Sequence, residues 1–479
     1  MRKRPSTSPT ELPLPFAYDE QQTEENVTAL GGIPLLIQAF RSLGTGRSVA
    51  QHVQIKQRQR GLDEASYVES FVVLNAAGGD CLEDFDHLRV DSGLAELIGH
   101  ELPSPEAARK FLYQFHDETK VAEAQQQELA LGRVSYIPQE SEPLAGLGMV
   151  NREVVQEFGR RTQDKIATID LDATIIESWK REAQRTYQGI TGYQPMLGLW
   201  AELNVIVADE FRDGNVGSDT RLLPVTKQAF AALPDSVEER YFRGDSACYQ
   251  QELLRWLRNR QREEGPEGFI GFGISAEMSE ALQKQIRNLP DPLWKPYRED
   301  AEALCECAEV LNWDPLERKA GEELDPVRYL AIRISRKQGE LFADGKLYKY
   351  FAVVTNRWDY EAKRLLEWQR EKAGSIEAAH AVLKNELAAG VMPCSRFGAN
   401  AAWLRMAVLT YNVISALKRL ALPPELLTAR PKRLRFLVFN TAGRILHHAR
   451  RVVCRLRHLG ERLGGWSAAM NALPLTGTT

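Results

Sequence analysis

The sequence predicts a mixed α/β fold preceded by an all-helical N-terminal region, and three observations carry that expectation. Residues from about 27 to 160 place apolar side chains at i, i+3 and i+4, with no strand-like alternation of any length. From about 163 the pattern becomes short alternating runs rich in β-branched residues, which then exchange with helical runs. From about 280 to 350 a β-rich stretch interrupts that rhythm before long helical segments resume. The expected organisation is therefore a helical region over 1–160, an α/β region over 161–430 with an insertion at about 280–350, and a basic region over 431–479.

The elements follow in order. Residues 1 to about 25 are rich in Pro, Ser and Thr and then acidic, an arm with little core of its own. ALGGIPLLIQAFRSLG and DEASYVESFVVLNAAGG read as amphipathic helices, and LPSPEAARKFLYQF starts one with Ser104 as cap and Pro105 in the first turn. KIATIDLDATII reads as a strand, LGLWAELNVIVADEFRDGN as further strands, TRLLPVTKQAFAAL as a helix and ERYFRGD as a strand. YQQELLRWLRNRQ then reads as a helix and EGFIGFGIS as a strand. Within the insertion REDAEALCECAEVL reads as an acidic helix. DPVRYLAIRISRK and GKLYKYFAVVTN read as strands around an Asp344-Gly345 turn. Two long helices follow, from YEAKRLLEWQREK to SALKRL. In the tail RLRFLVFN reads as a strand and ILHHARRVVCRLRHL as a basic amphipathic helix.

Composition excludes several classes. Hydrophobic residues at 43% and charged residues at 26% are ordinary for a soluble globular chain of 479 residues. Six cysteines without a CxxC pair argue against a zinc ribbon or finger, and Cys305 and Cys307 read as ordinary helix residues. The N-terminus lacks an apolar h-region and no apolar stretch approaches the ~20 residues that span a bilayer. A reduced cytoplasmic location and no membrane partner are the expectation. The net charge of −4 hides local basic patches: Arg41 to Gly61 holds five Lys/Arg and no acid, and Arg430 to Arg462 holds ten Lys/Arg and one acid.

Asp172, Asp245 and Glu377 carry the chemistry. Asp170 and Asp172 lie two apart on a strand and share a face, and carboxylates on an apolar strand are costly to bury unless paired or metal-bound. A strand end open to solvent is the alternative. Asp245 ends a second strand, where open α/β sheets place ligands, or it caps the helix that follows. Glu377 sits on a helical run, either as surface or as a third carboxylate, with Lys384 two turns on and Arg370 and Lys372 nearby.

Together these residues resemble the DDE transposases of bacterial insertion sequences. The closer likeness is to the branch whose glutamate lies in a Tyr-Arg-Glu-Lys signature on a helix after a β-rich insertion. Asp172-Ala173-Thr174, Arg243-Gly244-Asp245 and Ile376-Glu377 with Lys384 carry the likeness. LKNELAAGVMPCSRFGANAAWLRMAVLTYN and RPKRLRFLVFNTAGRILHHARR extend it over about residues 30 to 460. The signature's Tyr and Arg would fall on Arg370 and Ala373, so Arg370 or Lys372 stands in for the arginine.

The resemblance implies a ribonuclease H-like core in which Asp172, Asp245 and Glu377 are catalytic and hold two Mg²⁺ (or Mn²⁺) ions for phosphoryl transfer. It implies cleavage of element ends and joining to target DNA, with the hairpin route of relatives in this branch, by a homodimer on terminal inverted repeats, nucleoid-associated in a bacterial cytoplasm. Lys384, Arg370 and Lys372, then Arg41, Arg47, Lys56, Arg58 and Arg60, and then Lys432, Arg433 and Arg435 are the candidate DNA contacts. Trp358, after the last strand of the insertion, is the candidate for stacking an extruded base. A metal-dependent nuclease without strand transfer and a catalytically decayed DNA-binding protein are the alternative functions.

Overall fold

The computed structural model describes residues 18, 21, 25–55, 61–299, 302–316, 322–337, 341–458, 460 and 463–475. After a two-residue strand β1 (Val27–Thr28) come α1 (Ile33–Ser42), α2 (Thr45–His52), α3 (Glu64–Ala77), α4 (Asp84–Arg89), α5 (Ser92–Ile98), α6 (Pro105–Tyr113), α7 (Glu118–Ala130) and α8 (Glu142–Thr162). Local chemistry sets the starts. Ser104 accepts from the Ala107 amide at 3.2 Å with Pro105 in the first turn, and Asp63 accepts from Ser66 at 2.7 Å.

A nine-stranded sheet follows. Its strands are β2 (Ile166–Ala173), β6 (Met196–Trp200), β7 (Val205–Glu210), β8 (Glu239–Gly244), β9 (Gly271–Ser275), β10 (Lys295–Glu299), β11 (Ala303–Val310), β12 (Arg328–Arg336) and β13 (Lys349–Thr355). A small sheet of β3 (Ile176–Glu177), β4 (Gln184–Arg185) and β5 (Thr191–Tyr193) interrupts it after β2. The large sheet has the order β10-β11-β12-β13-β9-β8-β2-β6-β7. β2, β8 and β9 are parallel, and every other pairing is antiparallel.

Helices cover both faces, as a sheet buried on two sides requires. α9 (Leu222–Ala231) lies on the face of Leu171: a Cβ built on Gly198, which pairs with Leu171, would meet the Ala229 side chain at 3.4 Å. α12 (Ala362–Glu386) lies on the face of Asp170, to which Ser375 is bonded. α10 (Gln251–Arg258) and α11 (Glu280–Arg287) follow β8 and β9. α13 (Phe397–Ala421) is buried from Gly398 to Lys418, because α1, α3, α6 and α8 pack on it from one side and β7 from another. One apolar cluster therefore runs from the N-terminal helices into the sheet. Arg405 ties the layers together inside it. Its guanidinium meets Asp209 of β7 at 2.8 Å, Glu140 at 2.8 Å and the Leu144 carbonyl at 2.6 Å.

Three sequence expectations are corrected. REDAEALCECAEVL is mostly strand β11, and Cys305 and Cys307 are strand residues. Apart from these corrections, strands β10 to β13 of the β-rich stretch extend the main sheet, since β13 pairs with β9. RLRFLVFN is helical: α14 (Pro431–Leu434) runs into a π-helical turn, Arg435–Phe439, that buries Leu434, Val438 and Phe439 at helical spacing. ILHHARRVVCRLRHL is a hairpin of β14 (Gly443–His448) and β15 (Arg451–Leu456), with β1 added along β14. Its two-residue turn, Ala449-Arg450, has both φ angles positive, at 47° and 65°. That is the tight hairpin geometry usually signalled by Asn-Gly, and no such signal is present.

Candidate active site

The site forms where β2 and β8, adjacent and parallel, end beneath α12. β2 alternates strictly: Ala167, Ile169 and Leu171 are fully buried on one face, and Thr168, Asp170 and Asp172 lie on the other. The two aspartates have different fates. Asp170 is fully buried and receives Arg243 through both oxygens, at 2.6 and 2.9 Å, with the Ser375 hydroxyl as a third donor. Arg243 also donates to the Trp368 carbonyl at 2.8 Å and to Glu371 at 3.0 Å. Asp170 and Arg243 thus form a staple that fixes α12 over β2 and β8.

Asp172 lies at the carboxyl end of β2 and has no such partner set. The Lys372 ammonium stands 3.6 Å from its carboxylate. Burial pushes the Asp172 carboxyl above the ordinary range, Lys372 opposes that, and the nearby negative charge of Asp245 adds to it. Asp245 follows β8 and caps the short 3₁₀ turn Ser246–Cys248, accepting from the Ala247 amide at 3.1 Å. Gly244 permits this turn, since a Cβ there would lie 2.5 Å from the Cys248 Cβ. The Cys248 thiol is fully buried, and burial raises its pKa, with Asp245 and Asp172 reinforcing the effect. Two carboxylates and one buried thiol thus share a small region of negative field, relieved by one ammonium.

Glu377 is exposed on α12, about 140° round the helix from Lys372. The ligand atoms of Asp172, Asp245 and Glu377 do not all lie within 4.8 Å of one another. Among the described residues the group that meets that spacing is Asp80, Cys81 and Asp84, away from this site. Lys384 is only about 20° round α12 from Glu377, and it donates to the Ile175 carbonyl at 3.3 Å, three residues past Asp172. Lys384 therefore ties α12 to the loop after β2, one stretch of helix along from the exposed Glu377. His380, between them, is buried, and its pKa is pushed down to about 3 by burial and then by Lys384 and Lys372.

The basic candidates separate by what they touch. Arg370, Lys432 and Arg433 are exposed, and so is Arg47. Lys56, Arg58 and Arg60 lie outside the described residues. Arg41 is bonded internally, with Glu69 at 2.6 and 2.9 Å and with the Ile98 carbonyl at 2.5 Å. Arg435 donates at 2.8 Å to each of the Ala76 and Asn75 carbonyls at the end of α3, and to Glu386 at the end of α12. Both guanidiniums satisfy protein groups, although the Arg41 side chain stays 41% exposed. Lys372 is likewise turned to Asp172, and the half-buried Lys384 to Ile175, so neither presents its ammonium outward. Trp358 donates to the Pro326 carbonyl at 3.3 Å, and the Arg328 guanidinium covers its ring at 5.2 Å. Ser375 was not singled out from sequence, and Arg243 only as part of the Arg243-Gly244-Asp245 likeness, not as the partner of Asp170. The signal available for Arg243 was Asp170 itself, since a carboxylate in mid-strand demands a counter-ion.

The family model described as Transposase DDE domain group 1 matches residues 20–459. The chain belongs to this DDE transposase family. Members of such a family cleave and join DNA with divalent metal ions, and the Asp172–Asp245 pair of this transposase has the hard oxygen donors such ions take. No protein of curated function matches the sequence. Among solved structures the transposase is similar to the one described as a cryo-EM structure of a piggyBac transposase synaptic complex with hairpin DNA. The two share 10% identity over 86% of this chain and 81% of that one, with a TM-score of 0.43.

Proposed function

We propose that this DDE transposase cleaves the ends of its element and joins them to target DNA, using a ribonuclease H-like core in which Asp172, Asp245 and Glu377 hold two Mg²⁺ or Mn²⁺ ions. The observation that carries the proposal is the meeting of Asp172 and Asp245 at the ends of two adjacent parallel strands under α12. The strand order β7-β6-β2-β8-β9, with the first three antiparallel and the last three parallel, supports the core assignment. A divalent pair bound there supplies the positive charge that activates a water or 3′-hydroxyl and stabilises the leaving oxygen.

The chain's own residues do the rest. Asp172 and Asp245 contribute oxygens from the rigid sheet, and Glu377 contributes from α12. The Arg243–Asp170 staple fixes the angle at which α12 crosses. Lys384 holds the Ile175 end of the loop after β2. Arg370, Lys432 and Arg433 are among the exposed cations and meet phosphates. The reading includes double-stranded terminal repeats and target DNA as partners, a homodimer on DNA, a hairpin on the element end, and a bacterial insertion-sequence origin.

The test uses a plasmid carrying the DNA that flanks the protein's own coding sequence. Asp172→Asn, Asp245→Asn and Glu377→Gln should each abolish end cleavage in Mg²⁺ while leaving the gel shift of the same ends unchanged. Retention of cleavage by the Glu377 variant would remove it from the set. Cleavage without any joined product would leave a nuclease.

A further inference from the structure

Directly after β2 the chain builds a small ribbon that the cleavage centre does not use. Residues 174–193 fold as β3, β4 and β5, seated at the end of the strand that carries Asp172. The base of this ribbon is well packed. Ile176, Ser178, Thr186 and Tyr193 are buried, and the Thr174 amide donates to Pro195 at 3.0 Å. Gly192 lets β3 and β5 close, since a Cβ there would stand 2.1 Å from the Ile176 carbonyl. Lys384 clamps the entry at Ile175.

The tip is the opposite. Trp179 is 87% exposed and Tyr187 is 76% exposed. Among the described residues no ring and no cation stacks on either. Trp358 and Phe436, exposed elsewhere, lie under Arg328 and Arg433. Burial in the monomer therefore explains neither side chain. From Ser178 to Tyr187 three cations, Lys180, Arg181 and Arg185, stand against the single acid Glu182.

We propose that this ribbon is a second nucleic-acid contact, which stacks unpaired bases on Trp179 and Tyr187 beside the cleavage centre while Lys180, Arg181 and Arg185 follow the backbone. The proposal rests on the transposase reading above. Aromatic faces joined to cations bind single-stranded nucleic acid without regard to sequence, because every base has a π-face. A rigid base holding two open rings meets that need with little ordering cost. Seven residues separate Asp172 from Trp179, a reach of at most ~25 Å, so the stacked base lies within about seven nucleotides of the scissile phosphate. The ligand class is unpaired DNA at an opened end, where strands must part before joining.

The test measures fluorescence anisotropy of a labelled 20-nucleotide oligo(dT) and of a 20-base-pair duplex on the full chain. One stacked base is worth about 5- to 150-fold in affinity. The Trp179→Ala/Tyr187→Ala variant should lose roughly 30-fold or more on oligo(dT) and less than 3-fold on duplex, with an unchanged melting temperature. Trp179→Phe/Tyr187→Phe should recover most of the loss. Equal oligo(dT) affinity in wild type and the alanine variant overturns the proposal. So does a sedimentation shift from dimer to monomer with oligo(dT) affinity intact, which would make the ribbon a protein contact. Failure of Asp172→Asn to stop cleavage would instead sink the transposase mechanism and leave the oligo(dT) comparison standing.

Discussion

Lys372 occupies the place where a divalent cation would relieve the same charges, and this makes a counter-intuitive substitution informative. Its ammonium is 3.6 Å from Asp172, with the two side chains 10% and 22% exposed. At about 4 Å a unit pair interacts by ~1 kcal/mol in a water-like medium and by ~4 kcal/mol at an effective dielectric near 20. The partial exposure of Asp172 places the useful figure toward the lower half, about 1–3 kcal/mol. A metal entering the site must displace or repel that ammonium. Lys372→Met should therefore tighten Mn²⁺ binding by about 5- to 150-fold while lowering the stability of the metal-free protein. The assay is Mn²⁺ titration by electron paramagnetic resonance at pH 7.5 without DNA, beside melting curves with and without metal. The metal-induced rise in Tm should be larger in the variant than in the parent. Weaker or unchanged Mn²⁺ affinity would refute the competition argument and would assign Lys372 to a different task, such as phosphate contact.

Other perturbations have equally definite outcomes. Arg243→Met removes the buried partner of Asp170 and should cost about 3–5 kcal/mol in urea unfolding, because an uncompensated carboxylate is left inside; a loss below 1 kcal/mol would show that the staple is not structural. Lys384→Ala should slow end cleavage by about 10- to 1000-fold with Mn²⁺ affinity unchanged. Lys384→Gln, which can still donate to Ile175, should recover much of the rate, and no recovery would mean that the charge and not the anchor matters. Asp213 is buried beside Glu182, and burial pushes its pKa up to about 7 from 3.8. Its neutral form favours folding fully below about pH 4, and that contribution is lost as pH rises through about 7, at most ~4 kcal/mol by linkage. Asp213→Asn should therefore raise Tm at pH 8 and change it little at pH 4, and an equal shift at both would contradict the burial argument.

The sheet that carries the site was legible because its strands obey simple patterns. β2 alternates apolar and polar residues, and β8 ends in a glycine followed by an acid and a turn, so Asp172 and Asp245 could be placed at strand ends from the residue pattern. The cap at Ser104 was legible for the same local reason. What misled was propensity where tertiary pairing decides. Ala303–Val310 is rich in Ala and Glu, which favour helix, but it lies between β10 and β12 and pairs on both edges. Phe436–Phe439 is an unbroken run of β-prone apolar residues, yet the need to bury Leu434, Val438 and Phe439 on one side selects a helix. Which carboxylate faces which cation was not readable, since Arg243 and Asp170 are 73 residues apart.

The position of α13 has a consequence for how the molecule comes into being. The helices made first, from Ile33 onward, bury their apolar faces on a segment made some hundreds of residues later, and β1 finds its partner only in β14. At about 5–20 residues per second, α1 waits on the order of 20–75 s for α13 to emerge. During that interval the growing chain exposes Leu35, Leu36 and Phe40, side chains that the finished protein hides entirely. Contacts this distant in sequence form slowly and invite help from chaperones. The same delay is a safeguard: a ribosome that stalls before residue 397 releases a chain that lacks α13, the helix on which α1, α3, α6 and α8 pack. An interrupted message thus yields a target for proteases, and the power to break a chromosome arrives only with the last part of the translation.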